Sequence, residues 1–127
     1  MDILLDTHAA IWFFEGNPKM STSAREVIGN LDNMIYISIA SLWEFAIKLN
    51  TGKLVFDGGL DGFMDTIYMN EFALLEVAPE HIRATINLPI IHRDPFDRML
   101  IAQAMVENMA IMTIDENILK YDIKIIW

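Results

Sequence analysis

Five short apolar segments alternate with stretches of helical period, and that alternation restricts the chain more than any other feature. Asp2-Ile3-Leu4-Leu5-Asp6 is an apolar run bounded by acids, the pattern of a strand buried on both faces of a parallel sheet. Met34 to Ile37, Phe72 to Val77, Ala110 to Thr113 and Ile123 to Ile126 read as four further strands. Between them, Ala9 to Phe14 is helical and is stopped by Gly16-Asn17-Pro18. Thr22 to Leu31 reads as a second helix, with Ser23-x-x-Glu26 as a capping box. Ser38 is placed to cap an amphipathic helix from Ile39 to Asn50 that Gly52 ends. After the loop Asp57-Gly58-Gly59, Leu60 to Asn70 predicts a helix with Phe63, Met64 and Ile67 inward. Pro79 opens another helix to about Ile86, and Asp115-Glu116-Asn117 opens a short one before the last strand. Strands alternating with helices require crossover connections. The expected architecture is therefore α/β, a five-stranded, mainly parallel sheet with helices on both faces, as one domain over residues 1–127.

A chain of 127 residues buries roughly two thirds of the surface its unfolded form exposes, enough for a real core. Its 54% hydrophobic content includes no apolar run near the roughly 18 residues of a membrane span. Met1-Asp2-Ile3 leads straight into patterned sequence with no basic leader, which predicts a cytoplasmic protein. The absence of cysteine excludes disulfides, thiolate catalysis and sulfur-ligated zinc, and it favours oxygen-liganded cations. A net charge of −9 argues against broad electrostatic binding of nucleic acid. That objection weakens if the acids are concentrated where a divalent ion offsets them.

The candidate chemistry lies in acids next to strand ends. Asp6 ends the first strand, Glu44 sits in the helix after the second, and Asp115 follows the fourth. The stretch H-R-D-P-F-D-R-M-L-I-A-Q-A, from His92 to Ala104, opens a helix at Asp94-Pro95, with Asp97 in its first turn. In a parallel sheet the functional crevice lies beyond the carboxyl ends of the strands, near the switch in strand order. Four or five carboxylates gathered there raise one another's pKa unless a cation is present, and a divalent metal such as Mg²⁺ resolves that conflict. Each acid also has a plainer role. Asp6, Asp94 and Asp115 are placed to cap helices, Asp97 to complement a helix dipole, and Glu44 to pair with Lys48. A capping carboxylate keeps one oxygen free, so the roles are compatible. His8, His81 and His92 have no spacing that suggests a metal pair, and they read as surface or hydrogen-bonded residues. Trp12, Phe13 and Phe14 read as core or interface, and Arg93 and Arg98 as solvated or reaching phosphates or a neighbouring carboxylate.

D-T-H at Asp6, S-x-x-S-x-W-E ending at Glu44, the His92 to Ala104 stretch and T-x-D from Thr113 to Asp115, in that order, resemble the PIN domain. Within it they are similar to the VapC-type toxins of bacterial toxin–antitoxin pairs. The resemblance spans essentially the whole chain. It implies a PIN-like three-layer α/β/α sandwich and a Mg²⁺- or Mn²⁺-dependent endoribonuclease, usually a homodimer, held inactive by a cognate antitoxin. The family's four acidic positions fall on Asp6, Glu44, Asp97 and Asp115, and its hydroxyl position on Thr113. Asp94 belongs to the subgroup pattern and is not one of the four, so its metal role stays open. On this reading Asp6, Asp97 and Asp115 hold the metal, Glu44 is a ligand or base, and Thr113 hydrogen-bonds water or orients Asp115. Two other readings use the same residues: a structure-directed nuclease acting on DNA or RNA, and a non-catalytic acidic regulatory or binding domain.

Overall fold

A computed structural model describes all residues, 1–127. Its strands are β1 (Asp2–Leu5), β2 (Met34–Ser38), β3 (Ala73–Leu75), β4 (Ala110–Met112) and β5 (Ile125–Ile126). They form one sheet in the order β3-β2-β1-β4-β5, and every pairing is parallel. The helices are α1 (Thr7–Glu15), α2 (Thr22–Gly29), α3 (Ile39–Asn50), α4 (Gly59–Met69), α5 (Pro79–Thr85) and α6 (Pro95–Glu107), with a 3₁₀ turn at Ile118–Lys120. The expected α/β class and five-stranded parallel sheet are thus what the chain adopts. No helix is long and apolar enough to cross a membrane.

Side chains alternate across a strand, so β1 feeds two cores. Ile3 and Leu5 join Ile35, Ile37 and Met112 in a cluster with Ala9, Ala10, Ala24, Ile28, Phe45, Phe63 and Ile67 from α1 to α4. Leu4 faces the other way and joins Ile111, Leu100, Ile101, Ile118 and Tyr121 beneath α6. Two cores on opposite faces of one sheet make a three-layer arrangement. Phe45 and Phe63 have no exposed surface and stack with ring centroids 4.1 Å apart.

Several boundaries differ from expectation. Ser21, not Ser23, caps α2, accepting from Ala24 N–H at 2.9 Å, so the Ser23-x-x-Glu26 pattern lies inside the helix. Strand β3 keeps only Ala73–Leu75 of the expected Phe72 to Val77, and β5 only Ile125–Ile126. Both lie at sheet edges, where a partner on one side alone supports the ladder. Met64 is half-buried, whereas Phe63 and Ile67 are fully buried. The α1 aromatics are absorbed by the core: Phe14 meets the Phe63 ring edge-on at 5.4 Å, and Phe13 lies 5.9 Å from Phe72. The bare apolar surface is elsewhere. Ile39, Trp43 and Ile82 are exposed, and with Val77, Phe96 and Met99 they line a groove of about 570 Å³ between α3, α5 and the start of α6.

Candidate acidic active site

All five strands run the same way, so their carboxyl ends share one edge. The order switches there, because β2 and β3 lie on one side of β1 and β4 and β5 on the other. Asp6 leaves β1 at this edge, and its backbone N–H still donates to Met112 O of β4 at 3.2 Å. One carboxylate oxygen of Asp6 caps α1 by accepting from Ala9 N–H at 2.7 Å. The other accepts from the Thr113 hydroxyl. That hydroxyl in turn accepts from Asp115 N–H at 3.0 Å, so Thr113 bridges the two acids that follow β1 and β4. Asp115 Oδ1 receives Asn117 and Ile118 N–H at 2.8 and 3.2 Å, which leaves Oδ2 towards the cleft.

Helix α3 brings Glu44 inward rather than into solvent; the residue is 6% exposed. Its Oε1 accepts from Thr7 Oγ1 at 2.5 Å, and its Oε2 lies 3.2 Å from Lys48 Nζ one turn later. The expected Glu44–Lys48 pair is therefore present, but it bridges a buried acid to the cleft wall. Asp94 caps α6, accepting from Phe96 N–H at 2.8 Å and from Asp97 N–H at 3.2 Å. Asp97 stands in the first turn of that helix.

These side chains open onto one cleft of about 380 Å³, whose walls include Asp6, Glu44, Asp94, Asp97 and Asp115, together with Lys48 and His92. All four acids of the resemblance, and Asp94 with them, are brought together. Thr113 lies beneath them, fully buried. The charges are held at a cost. Burial pushes the Asp6 carboxyl above its ordinary range, against the hydrogen bonds from Thr113 and Ala9. Burial, reinforced by Asp94 and Glu44, raises Asp97 to about 7 from 3.8.

His92 is the member of the site that spacing did not indicate. Its Nε2 lies 2.8 Å from Asp97 Oδ2 and 3.5 Å from Asp115 Oδ2, yet its N–H is aligned with neither and has no hydrogen-bond partner. His92, Asp97 and Asp115 offer ligand atoms within 4.8 Å of one another. Thr7 was also absent from the expected set, although a hydroxyl directly after the Asp6 cap was the available signal. Arg93 is exposed. Arg98 makes no ion pair with any of the acids; it donates to backbone carbonyls instead. The donor set suits a divalent cation. Two carboxylates with raised pKa, Asp6 and Asp97, share one cleft with Glu44, Asp94 and Asp115, an excess of negative charge that a cation offsets.

An acid raised in this way ties stability to pH, and the sign follows from where the proton sits. Between pH 3.8 and about 7 the folded chain keeps a proton on Asp97 that the unfolded chain has released. Metal-free stability is therefore expected to fall as pH rises across that window and to level off above it. Thermal unfolding in chelator at pH 5, 6, 7 and 8 measures this, and Asp97→Asn should flatten the decline. A flat wild-type profile would show that Asp97 is ionised without penalty.

The fold and cleft define an α/β protein with an acidic, cation-suited site at the carboxyl edge of its sheet. The PIN domain family model matches residues 3–124, and the chain belongs to that family. Among solved structures it is similar to VapBC2 from Rickettsia felis bound to a DNA fragment from their promoter. That match has TM-score 0.73 and 15% identity, and covers 99% of this chain and 98% of that one. VapBC-1 from nontypeable Haemophilus influenzae matches with TM-score 0.69 and 17% identity over 99% and 97% of the two chains. DNA-bound VapBC from Salmonella typhimurium matches with TM-score 0.68, 16% identity and the same coverage. At such identities the likeness is one of fold. Among curated proteins none matches this sequence.

Proposed function

We propose that this chain is a divalent-metal-dependent endoribonuclease of the VapC toxin type, acting in the cytoplasm and neutralised by a cognate antitoxin. The observation that carries the reading is the convergence of Asp6, Glu44, Asp97 and Asp115 on one cleft, with Thr113 joining two of them. Membership of the PIN family supports a nuclease, and the fold shared with the VapBC structures supports an antitoxin partner.

Asp6, Asp97 and Asp115 would hold Mg²⁺ or Mn²⁺, with Asp94 contributing chiefly as the cap that sets where Asp97 points. When bound, the cation polarises the phosphodiester and lowers the pKa of a water. The chain's own residues prepare the rest. Thr113 donates its one proton to the Asp6 carboxylate and accepts from the Asp115 backbone N–H, so it fixes the Asp6 carboxylate relative to the backbone that carries Asp115. Glu44, held by Thr7 and Lys48, is the group positioned to accept a proton from the attacking water. Lys48 on the cleft wall adds positive charge where the RNA backbone would approach.

The test is cleavage of transfer and ribosomal RNA in Mg²⁺ or Mn²⁺ against chelator, with Asp6→Asn as control. Cleavage that persists in chelator, or in the variant from a preparation free of contaminating nuclease, overturns the assignment. The reading also includes a homodimer. Sedimentation is expected to show concentration-dependent mass near twice that of one chain; a monomer at all concentrations refutes that part.

A further inference from the structure

His92 reaches the acids from a loop, and the device that holds the loop lies on its far side. Arg98 of α6 points back beneath residues 85–92. Its Nη2 donates to Thr85 O at 3.0 Å and Leu88 O at 3.3 Å, and its Nη1 to Pro89 O at 3.0 Å and His92 O at 3.2 Å. The planar fork thus meets four carbonyls between Thr85, the last residue of α5, and His92, and its charge goes to no carboxylate. Tyr121 closes the other end. Its ring is buried in the core under α6, while its hydroxyl donates to Pro89 O at 2.7 Å and accepts from Ile91 and His92 N–H at 3.2 and 2.9 Å. Arg98 and Tyr121 touch each other, Nη1 to hydroxyl, at 3.4 Å.

The loop ends in an imidazole whose tautomer is set from the backbone. Asp94 N–H donates to His92 Nδ1 at 3.3 Å, so the proton of the neutral ring sits on Nε2. That Nε2–H stands between Asp97 Oδ2 and Asp115 Oδ2. A ring that carries its proton there turns a positive edge towards the two carboxylates and offers a metal no lone pair at Nε2. We propose that Arg98 and Tyr121 are positioning residues of the acidic cleft: by clamping the segment that runs from the end of α5 to His92 they hold the His92 imidazole between Asp97 and Asp115, and so orient those carboxylates for a divalent cation. This rests on the cation site proposed above. It assigns a role to three residues outside the acidic set. Lost loop support reaches the cation through one ring.

The experiment is a double-mutant cycle read by Mn²⁺ affinity from electron paramagnetic resonance, with wild type, Tyr121→Phe, His92→Ala and the double variant. Each single change is expected to weaken Mn²⁺ binding by about 10-fold, the lower end for outer-shell partners of a metal. The double variant should be no weaker than His92→Ala alone, because the hydroxyl acts through the ring. Thermal unfolding without metal runs in parallel. Lower stability with unchanged Mn²⁺ affinity would mean that the hydroxyl is structural only, and it overturns the proposal. Additive losses of about 100-fold overturn it too, as does nitrogen coupling of a directly ligated imidazole in the Mn²⁺ spectrum. If Tyr121→Phe does not fold, Arg98→Lys replaces it in the same cycle, since an ammonium cannot span the four carbonyls. Wild type that binds no Mn²⁺ defeats the cation site itself; wild type that binds while the cycle is additive defeats only the clamp.

Discussion

Asp6→Asn is expected to lower metal-dependent RNA cleavage by about 10³-fold or more while leaving the chain folded. A cation at a reacting phosphate contributes several kcal/mol of transition-state stabilisation, and each 1.4 kcal/mol is tenfold in rate. Asp6 is the acid with least freedom to be replaced by a neighbour, because both of its oxygens are committed, one to Ala9 N–H and one to the Thr113 hydroxyl. Asparagine satisfies both partners without the charge. Its carbonyl can still accept from Ala9, and its amide can donate to Thr113 Oγ1 once that hydroxyl turns. The metal-free variant should unfold at a higher temperature than wild type at neutral pH, since a carboxylate that burial penalises has been neutralised. Cleavage and melting measured on one preparation check both halves. Loss of cleavage with loss of fold would leave no case for Asp6 in the chemistry, and cleavage near wild type would remove it from the site.

Phe63→Ala is expected to cost about 3–5 kcal/mol of folding stability and to lower the melting temperature by about 10–20 °C. Phe63 has no exposed surface, stacks on Phe45, and receives the edges of Phe14 and Phe56 at 5.4 and 5.5 Å. Four rings from α1, α3, α4 and the loop before α4 thus close around one another, and α1 and α3 are the helices that start beside Asp6 and carry Glu44. Truncation leaves a void lined by stiff aromatic rings that collapse poorly onto it. Denaturant unfolding gives the number; a cost below about 1 kcal/mol would mean that the cluster is not packed in solution.

Element types were legible in the residues because burial on both faces leaves continuous apolar runs, and Asp2 to Asp6 is such a run. The edge strands were overread. Phe72 to Val77 has strand-forming composition throughout, but only Ala73–Leu75 finds a partner, because pairing depends on neighbours that composition does not carry. The capping box misled for a related reason: Ser21 and Ser23 both precede helical residues, and the buried Met20 anchors the chain so that Ser21 takes the cap. The acids were readable from their places after strands one, two and four. Their surroundings were not. Glu44 looks like a solvated glutamate until α3 is docked beside α1 and Thr7 meets it. His92 has no periodic signal, because a loop with no regular structure delivers it.

The hydrogen bond from Thr113 to Asp6 joins residues 107 apart in the chain. Asp6 leaves β1, the central strand, yet β1's neighbour β4 comes after β2 and β3 in the chain. Synthesis therefore delivers β1, β2 and β3 before the strand that completes the cleft. The acids meet only after Asp115 has emerged and β4 has slid in beside β1, a long loop closure that is slow relative to local folding. A fragment truncated ahead of β4 holds Asp6, Glu44 and Asp97 but has neither Thr113 nor Asp115. On the proposed reading such a fragment is expected to be inactive, because two of the residues that build the site are missing from it.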